Sequence, residues 1–426
     1  MPPAWKAWPT VFPPLVPGRS SSPRCIIAPV LIDILCKVVD NYGDIGVAYR
    51  LARAFSALPD APRIRLIVDE LSAFAALEPR VDPTAERQVV RGWEVFGWEL
   101  SPAALEAFSA RPTRVLVQCF ACPRPDWLEA LLFDPQAGES LIVDLEYLTA
   151  EDYAEDLHGM PSLTRSAKVR KAMFLPGFAK GTGGLIIDPP FESSRELAAS
   201  EGGRVFLRRE LLASPGTVPT AAAPGTVPGS AFWLLVFSYE RDYSRIVADM
   251  AAFAGGRLMS EGRELLALSA AGRSQACFRA AWDAAGRPFP LIELPFLPQE
   301  AWDRVLLACD FSIVRGEDSW ARAALSGKPF LWQAYPQEGK HHVVKVEAFL
   351  DRLKPHFPEA EFAPLAAAYR AFNDRDADSP EASGDESILP LLEGSPSSEK
   401  GFRDFADSVR GLGNLAEGLA AMLKAR

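Results

Sequence analysis

The chain has 426 residues, 48% of them hydrophobic and 23% charged, with mean hydropathy near zero, a make-up that excludes both a disordered and a membrane-embedded protein. Its 45 basic against 55 acidic residues leave a net charge of -10, which argues against a nucleic-acid partner and favours one that offers arginine or lysine. The length favours two domains, and no apolar run reaches the roughly 18 residues of a spanning helix, so no membrane contact is expected.

Residues 1–30 are rich in Pro and Ser and lack the cationic start and apolar core of a signal peptide; they read as a disordered extension. From Leu31 the texture changes. LIDILCKVVD reads as a buried parallel strand, and VAYRLARAFSAL then places Val47, Leu51, Phe55 and Leu58 on one helical face. Between them, Asp40 leaves a strand end and Asp44 stands at a helix entrance, with Asn41, Tyr42, Gly43 and Gly46 making the turn. Helix capping, worth about 0.5–2 kcal/mol, accounts for one of these acids and not for the pair. The turn is not G-x-G-x-x-G and its acids would repel a pyrophosphate, so it suits a cation better than a nucleotide.

Strands and helical stretches alternate through RIRLIVD (63–69), ELSAFAAL (70–77), QVVRGWEVF (88–96), RVLVQCF (114–120), DWLEALLF (126–133) and SLIVDLEYL (140–148). That alternation implies a parallel sheet covered on both faces, so residues 31–196 are expected to form one Rossmann-like domain. Over 197–230 the pattern dissolves into Ala, Gly, Pro and Thr, with PGTVP occurring twice, which reads as a flexible insertion. Residues 231–373 start a second series, with strands expected in FWLLVFSYE (232–240), ELLALSA (264–270), PLIELPFLP (290–298), FSIVRGE (311–317) and KPFLWQAY (328–335). Residues 374–400 read as a loop and 401–426 as a closing helix that returns to the first domain. The expected fold class is α/β: two doubly wound Rossmann-like domains facing across a cleft, with ligands at the carboxyl ends of the strands, an arrangement that suits sugar-nucleotide transferases.

The densest stretch is RGEDSWARAALSGKPFLWQAYPQE, from Arg315 to Glu338. A strand ends at Val314, the backbone turns at Gly316 and a helix begins near Ser319, so free amides and the helix dipole would meet a diphosphate, with Arg315 adding a forked cation. Ser319 can cap the helix or donate to a phosphate. Glu317 and Asp318 must then face away from the phosphate, toward sugar hydroxyls, ribose or acceptor. Phe237 and Tyr239 in FSYE, with Phe296, Gln299 and Trp302 in PFLPQEAW, put aromatic faces and a hydrogen-bonding tip where a base could be stacked and read. The six cysteines read as small hydrophobes of a reducing, cytoplasmic compartment; Cys119 and Cys122 form one C-x-x-C with no second pair, and the histidines carry no metal-ligand pattern, so no metal is expected.

DNYGDIGVAYRLAR, LEYLTAEDY with HGMPS, FLPGF with TGGL, LPFLPQ, and RGEDSWARA with GKPFLWQAYPQE resemble, in order, the signatures of the bacterial protein-arginine rhamnosyltransferases that modify elongation factor P. The likeness runs from about Leu31 to the final helix. It implies a GT-B fold and an inverting, metal-independent transfer of L-rhamnose from TDP-β-L-rhamnose to an arginine of elongation factor P, with no cofactor beyond the donor. Carried over by that resemblance, Asp44 is the general base or orienting carboxylate, Asp40 stands beside it and Glu317 is the third essential acid. Phe237, Tyr239, Phe296, Gln299, Trp302, Arg315, Gly316, Asp318 and Ser319 hold the donor, and the first domain takes the acceptor protein. The alternatives are a GT-B enzyme acting on a small molecule or glycan, and a non-catalytic nucleotide-binding scaffold, which leaves the three acids without work.

Overall fold

Two sheets organise the chain in the computed structural model, which describes residues 30–39, 42–213, 231–374 and 387–424. The expectations for residues 1–29, for Asp40 and Asn41, for both PGTVP repeats and for 375–386 lie outside the described residues. The first sheet contains β1 (Leu31–Cys36), β2 (Arg63–Val68), β3 (Arg87–Val90), β4 (Trp93–Gly97), β5 (Val115–Cys119), β6 (Ser140–Leu145), β7 (Pro161–Ser162) and β8 (Val169–Phe174), in the order β3-β4-β2-β1-β5-β6-β8-β7. Its six central strands run parallel, and β3 and β7 add antiparallel edges. The second contains β9 (Phe232–Val236), β10 (Leu265–Ser269), β11 (Leu291–Glu293), β12 (Phe311–Arg315) and β13 (Phe330–Gln333), all parallel, in the order β11-β10-β9-β12-β13. In both sheets the order reverses beside the first strand, between β1 and β5 and between β9 and β12. Doubly wound sheets open their ligand crevices at such points.

The near-continuous apolar runs of the central strands follow from this layering, because helices cover both faces; every residue of β6 and of β10 is buried. Residues 88–96, expected as one strand, are a hairpin: Arg91 and Gly92 both take positive φ, 52° and 86°, and turn the chain back between β3 and β4.

Three further differences concern helices. Within 197–230, Glu201–Leu212 is a helix, not part of a flexible insertion. Ser200 caps it by accepting from the Gly203 amide, and Leu207 and Leu211, four residues apart, are buried. Gly203, which reads locally as a breaker, is needed there: a Cβ would lie 1.8 Å from the Leu197 carbonyl oxygen at the end of the preceding helix, Pro189–Ala198. Within 374–400, Leu389–Leu392 and the start of Pro396–Arg410 are helical, the latter capped by Ser395. The closing segment is two helices, Pro396–Arg410 and Leu415–Lys424, broken near Gly413 at φ 97°. Phe402, Phe405 and Val409 of the former join the core of the second sheet, whereas Leu415, Ala416 and Leu419 of the latter join that of the first. No helix among the described residues is long and apolar enough to cross a membrane.

Candidate active site

The helix Gly43–Ser56 follows β1 and carries Asp44 in its first turn. Asp44 is buried at 3% exposure; its Oδ2 accepts from the Val39 amide at 2.7 Å, and its Oδ1 accepts from the Tyr147 hydroxyl at 3.3 Å. Gly43 and Gly46, expected in the preceding turn, lie inside this helix, and Gly46, two residues after Asp44, lets the second domain approach. A Cβ at Gly46 would lie 3.2 Å from Gln299 Nε2, and that nitrogen donates to the Gly46 carbonyl at 2.9 Å.

Across the cleft, β12 ends at Arg315, Gly316 turns at φ 67° and the helix Glu317–Ser326 begins. Both acids at its start face the first domain and not a phosphate. Glu317 Oε2 accepts from the Leu148 amide at 2.8 Å, and Asp318 takes a bidentate pair from Arg50, Nε to Oδ1 at 2.7 Å and Nη2 to Oδ2 at 2.8 Å. The anion-attracting groups stand apart from them. The Arg315 guanidinium lies over the Phe237 ring at 4.9 Å and the Tyr239 ring at 4.5 Å, and its buried Nε has no hydrogen-bond partner among the described residues. Trp302 meets Phe237 edge-on at 4.9 Å and donates from its indole nitrogen to Ser319 Oγ at 3.2 Å. Phe296, 39% exposed, packs on Tyr42, the residue before the helix Gly43–Ser56, with ring centres 4.4 Å apart.

A buried ionic cluster joins these two halves. Arg50, fully buried, donates to Asp303 at 2.7 and 3.0 Å and to Asp188 at 3.1 Å besides Asp318. Arg53, one turn later, reaches Asp188 at 2.6 Å, Glu300 at 3.1 Å and Gln299 Oε1 at 2.9 Å. Arg322, at 1% exposure, donates to the Ile186 carbonyl at 2.5 Å and lies 3.6 Å from Asp188. Burial opposes the charge on Arg50, yet Asp303, Asp318 and Asp188 outweigh it and raise the pKa of the guanidinium. Burial likewise works to raise the Asp318 carboxyl, and the Arg50 charge overrides it, holding Asp318 below the usual carboxylate range. Arg322, buried beside the Arg50 cation, is lowered to about 10.

Three of the sequence expectations are thereby brought together at the mouth, Asp44, Glu317 and Tyr42; Phe237, Tyr239, Trp302, Arg315, Gly316 and Ser319 gather on the second domain. Gln299 and Asp318 instead lie in the contact between domains, with their polar atoms engaged by Gly46, Arg53 and Arg50. Arg50, Arg53, Asp188, Asp303 and Tyr147 are the residues that sequence reasoning missed. The available signal was YRLAR: arginines three apart, with Val47, Ala48, Leu51, Ala52, Ala54 and Phe55 around them in the helix, need buried acids to pair with. The C-x-x-C carries no reactive thiolate, since burial pushes the Cys122 thiol up to about 11 and Cys119 well above its ordinary value. A cavity of about 830 Å³ lies elsewhere, at the starting ends of β9 and β12, where Arg208 with Asp310 and Arg257 with Glu261 pair its charges.

A family model described as "Elongation-Factor P (EF-P) rhamnosyltransferase EarP" matches residues 32–424. A protein-arginine rhamnosyltransferase of Pseudomonas putida is 36% identical over 351 residues, 80% of this chain and 86% of that protein. Its counterpart in Pseudomonas aeruginosa is 35% identical over 348 residues, 80% and 85% of the two chains. A solved structure described as the basis for EarP-mediated arginine glycosylation of translation elongation factor EF-P aligns over 93% of this chain and 99% of its own, with TM-score 0.53 and 23% identity, and shares the fold of two mostly parallel sheets facing across a cleft. The chain belongs to the EarP family of elongation factor P rhamnosyltransferases, and is a glycosyltransferase of GT-B architecture.

Proposed function

We propose that the protein transfers L-rhamnose from TDP-β-L-rhamnose to an arginine side chain of elongation factor P, in the cytoplasm, with inversion at the anomeric carbon. The observation that carries this reading is the separation of charge at the cleft. Asp44 and Glu317, one from each domain, meet the same segment, Tyr147–Leu148, whereas Arg315 and the amides of the Gly316 turn stand at the strand ends of the second domain. A guanidinium needs the first environment and a diphosphate the second.

Guanidinium is protonated at neutral pH and its lone pairs are delocalised, so it is a poor nucleophile. In the proposed step Asp44 accepts a proton from the attacking nitrogen, while Glu317 and Asp40 hold positive charge on the other nitrogens. The N–C bond forms on the face opposite the departing diphosphate, the C–O bond to TDP breaks, and the electron pair leaves with TDP toward Arg315 and the helix amides. Phe237, Phe296 and Trp302 offer stacking surface for the base, Tyr239 shelves Arg315 and Ser319 lies within reach of the phosphates. Gln299 and Asp318 act in this scheme through the domain contact, and the acceptor is received where the helix Gly43–Ser56 begins, at Tyr42, Gly43 and Gly46, with Asn41 expected to join them.

Incubation with TDP-β-L-rhamnose and elongation factor P from the same organism is expected to add one deoxyhexose to the acceptor's intact mass, localised to an arginine. Asp44→Asn is expected to lower turnover by about a hundredfold or more while nucleotide binding persists. Modification of another residue type, or wild-type turnover by the folded Asp44→Asn variant, would overturn the assignment.

A further inference from the structure

We propose that Tyr147 is a positioning residue for Asp44, and that the segment Glu146–Leu148 acts as a bracket setting the spacing between Asp44 and Glu317. The proposal rests on the reading of Asp44 as the base. Its core is a juxtaposition within two consecutive residues: the Tyr147 hydroxyl donates to Asp44 Oδ1 at 3.3 Å, and the Leu148 amide donates to Glu317 Oε2 at 2.8 Å. The two acids belong to different domains, so a segment that holds both fixes how far apart they stand when a guanidinium enters.

The bracket is built with strain. Phe120 and Ala121, directly after β5, take φ of 58° and 47°, the left-handed region that costs a residue with a side chain about 1–2 kcal/mol. This bend lets the Phe120 amide donate to the Leu145 carbonyl at 2.6 Å, at the end of β6. It also lays the Phe120 ring flat on Tyr147, with centres 4.2 Å apart and planes 13° from parallel. Phe120 thus buttresses an aromatic residue that is 42% exposed, and core packing alone does not call for such support. Glu146, just before, is tied to β8 by its amide, which donates to the Phe174 carbonyl at 3.0 Å. A phenol donating to a carboxylate fixes its rotamer, and a base must be aimed before it takes a proton.

The test compares Tyr147→Phe, which keeps the ring and stack and removes the hydroxyl, with Phe120→Leu, which keeps the hydroxyl and loosens the buttress. Asp44→Asn runs beside them, and TDP affinity by calorimetry controls for folding. Tyr147→Phe is expected to lower kcat about tenfold with acceptor KM within about twofold, the scale of one hydrogen bond to a charged group. Phe120→Leu should lower kcat in the same way but by less. Wild-type kcat in Tyr147→Phe, with Asp44→Asn inactive, would sink the positioning role alone. Wild-type turnover in Asp44→Asn would remove the base reading and this proposal together.

Discussion

Glu78 shows how much one residue beside the domain contact can hold. Its carboxylate accepts from the Tyr49 hydroxyl at 2.6 Å, from Arg80 at 2.7 and 2.8 Å and from Arg91 at 2.8 Å, and Arg91 continues to Glu300 on the second domain at 2.5 Å. Burial works to raise its pKa, but the three donors outweigh burial and hold it at about 2 against an ordinary 4.5. Because the folded value lies below the ordinary one, this stabilisation is fully present above pH 4.5 and is lost as pH falls toward about 2. Glu78→Gln should therefore lose stability at pH 7 and show a shallower decline between pH 4.5 and 2, read from urea midpoints across that range; an unchanged decline would place the acid sensitivity elsewhere. At this scale the sequence is legible where a residue breaks a local rule. Asp44 and Arg315 do so, as acids crowd a turn and a cation ends an apolar strand. Arg50 and Asp303 are not legible as a pair, because 253 residues separate them and only the closed fold makes them neighbours.

At the scale of elements, the start of the helix Glu317–Ser326 depends on a backbone conformation. Gly316 sits at φ 67° and ψ 171°, which a side chain resists even where, as here, no atom lies within 4 Å of the Cβ position. Gly316→Ala is expected to cost about 1–2 kcal/mol at that turn, tilting the free amides away and weakening TDP about tenfold by calorimetry. Acceptor affinity should hold; equal loss of both ligands would mean that the turn serves general stability. β1, β2, β5 and β6 of the first sheet and all five strands of the second were readable because burial on two faces writes unbroken apolar runs, whereas β8, with Arg170 and Lys171 inside it, and the two-residue β7 were not. The helix Glu201–Leu212 was not, since Gly202 and Gly203 dilute its periodicity and the reason for Gly203, contact with the Leu197 carbonyl, is tertiary. The 88–96 hairpin was missed because Arg91, in place of the usual Asn or Asp, precedes Gly92 in the turn.

For the whole molecule, the domains are held by a buried cluster whose charges balance: Arg50, Arg53 and Arg322 against Asp188, Asp303 and Asp318. Such a cluster adds little net stability over an apolar contact, but removing one member leaves the others buried and uncompensated. It therefore acts as a condition on closure, since the charges are tolerable only when Gly43–Ser56 of the first domain meets Gln299–Ala308 and Glu317–Ser326 of the second. Arg50→Met is expected to cost about 3–5 kcal/mol, most of it at the interface. Trp93 lies in the first core and Trp233 and Trp282 in the second, so each domain can be followed separately through fluorescence in single-tryptophan backgrounds. Wild-type protein should unfold in one transition by both sets of probes, whereas Arg50→Met should split into two. Replacing Asp303 by Leu in the same chain should bring the transitions back toward each other, because it removes a buried carboxylate that the lost cation had paired through two hydrogen bonds. If Arg50→Met unfolded in a single unshifted transition, the cluster would not couple the domains, and the positions of Asp44 and Glu317 across the cleft would have to be held by the other contacts between them, among them the Tyr147–Leu148 bracket, the glycine contact at Gly46, the Arg91–Glu300 pair and the packing of Phe296 on Tyr42.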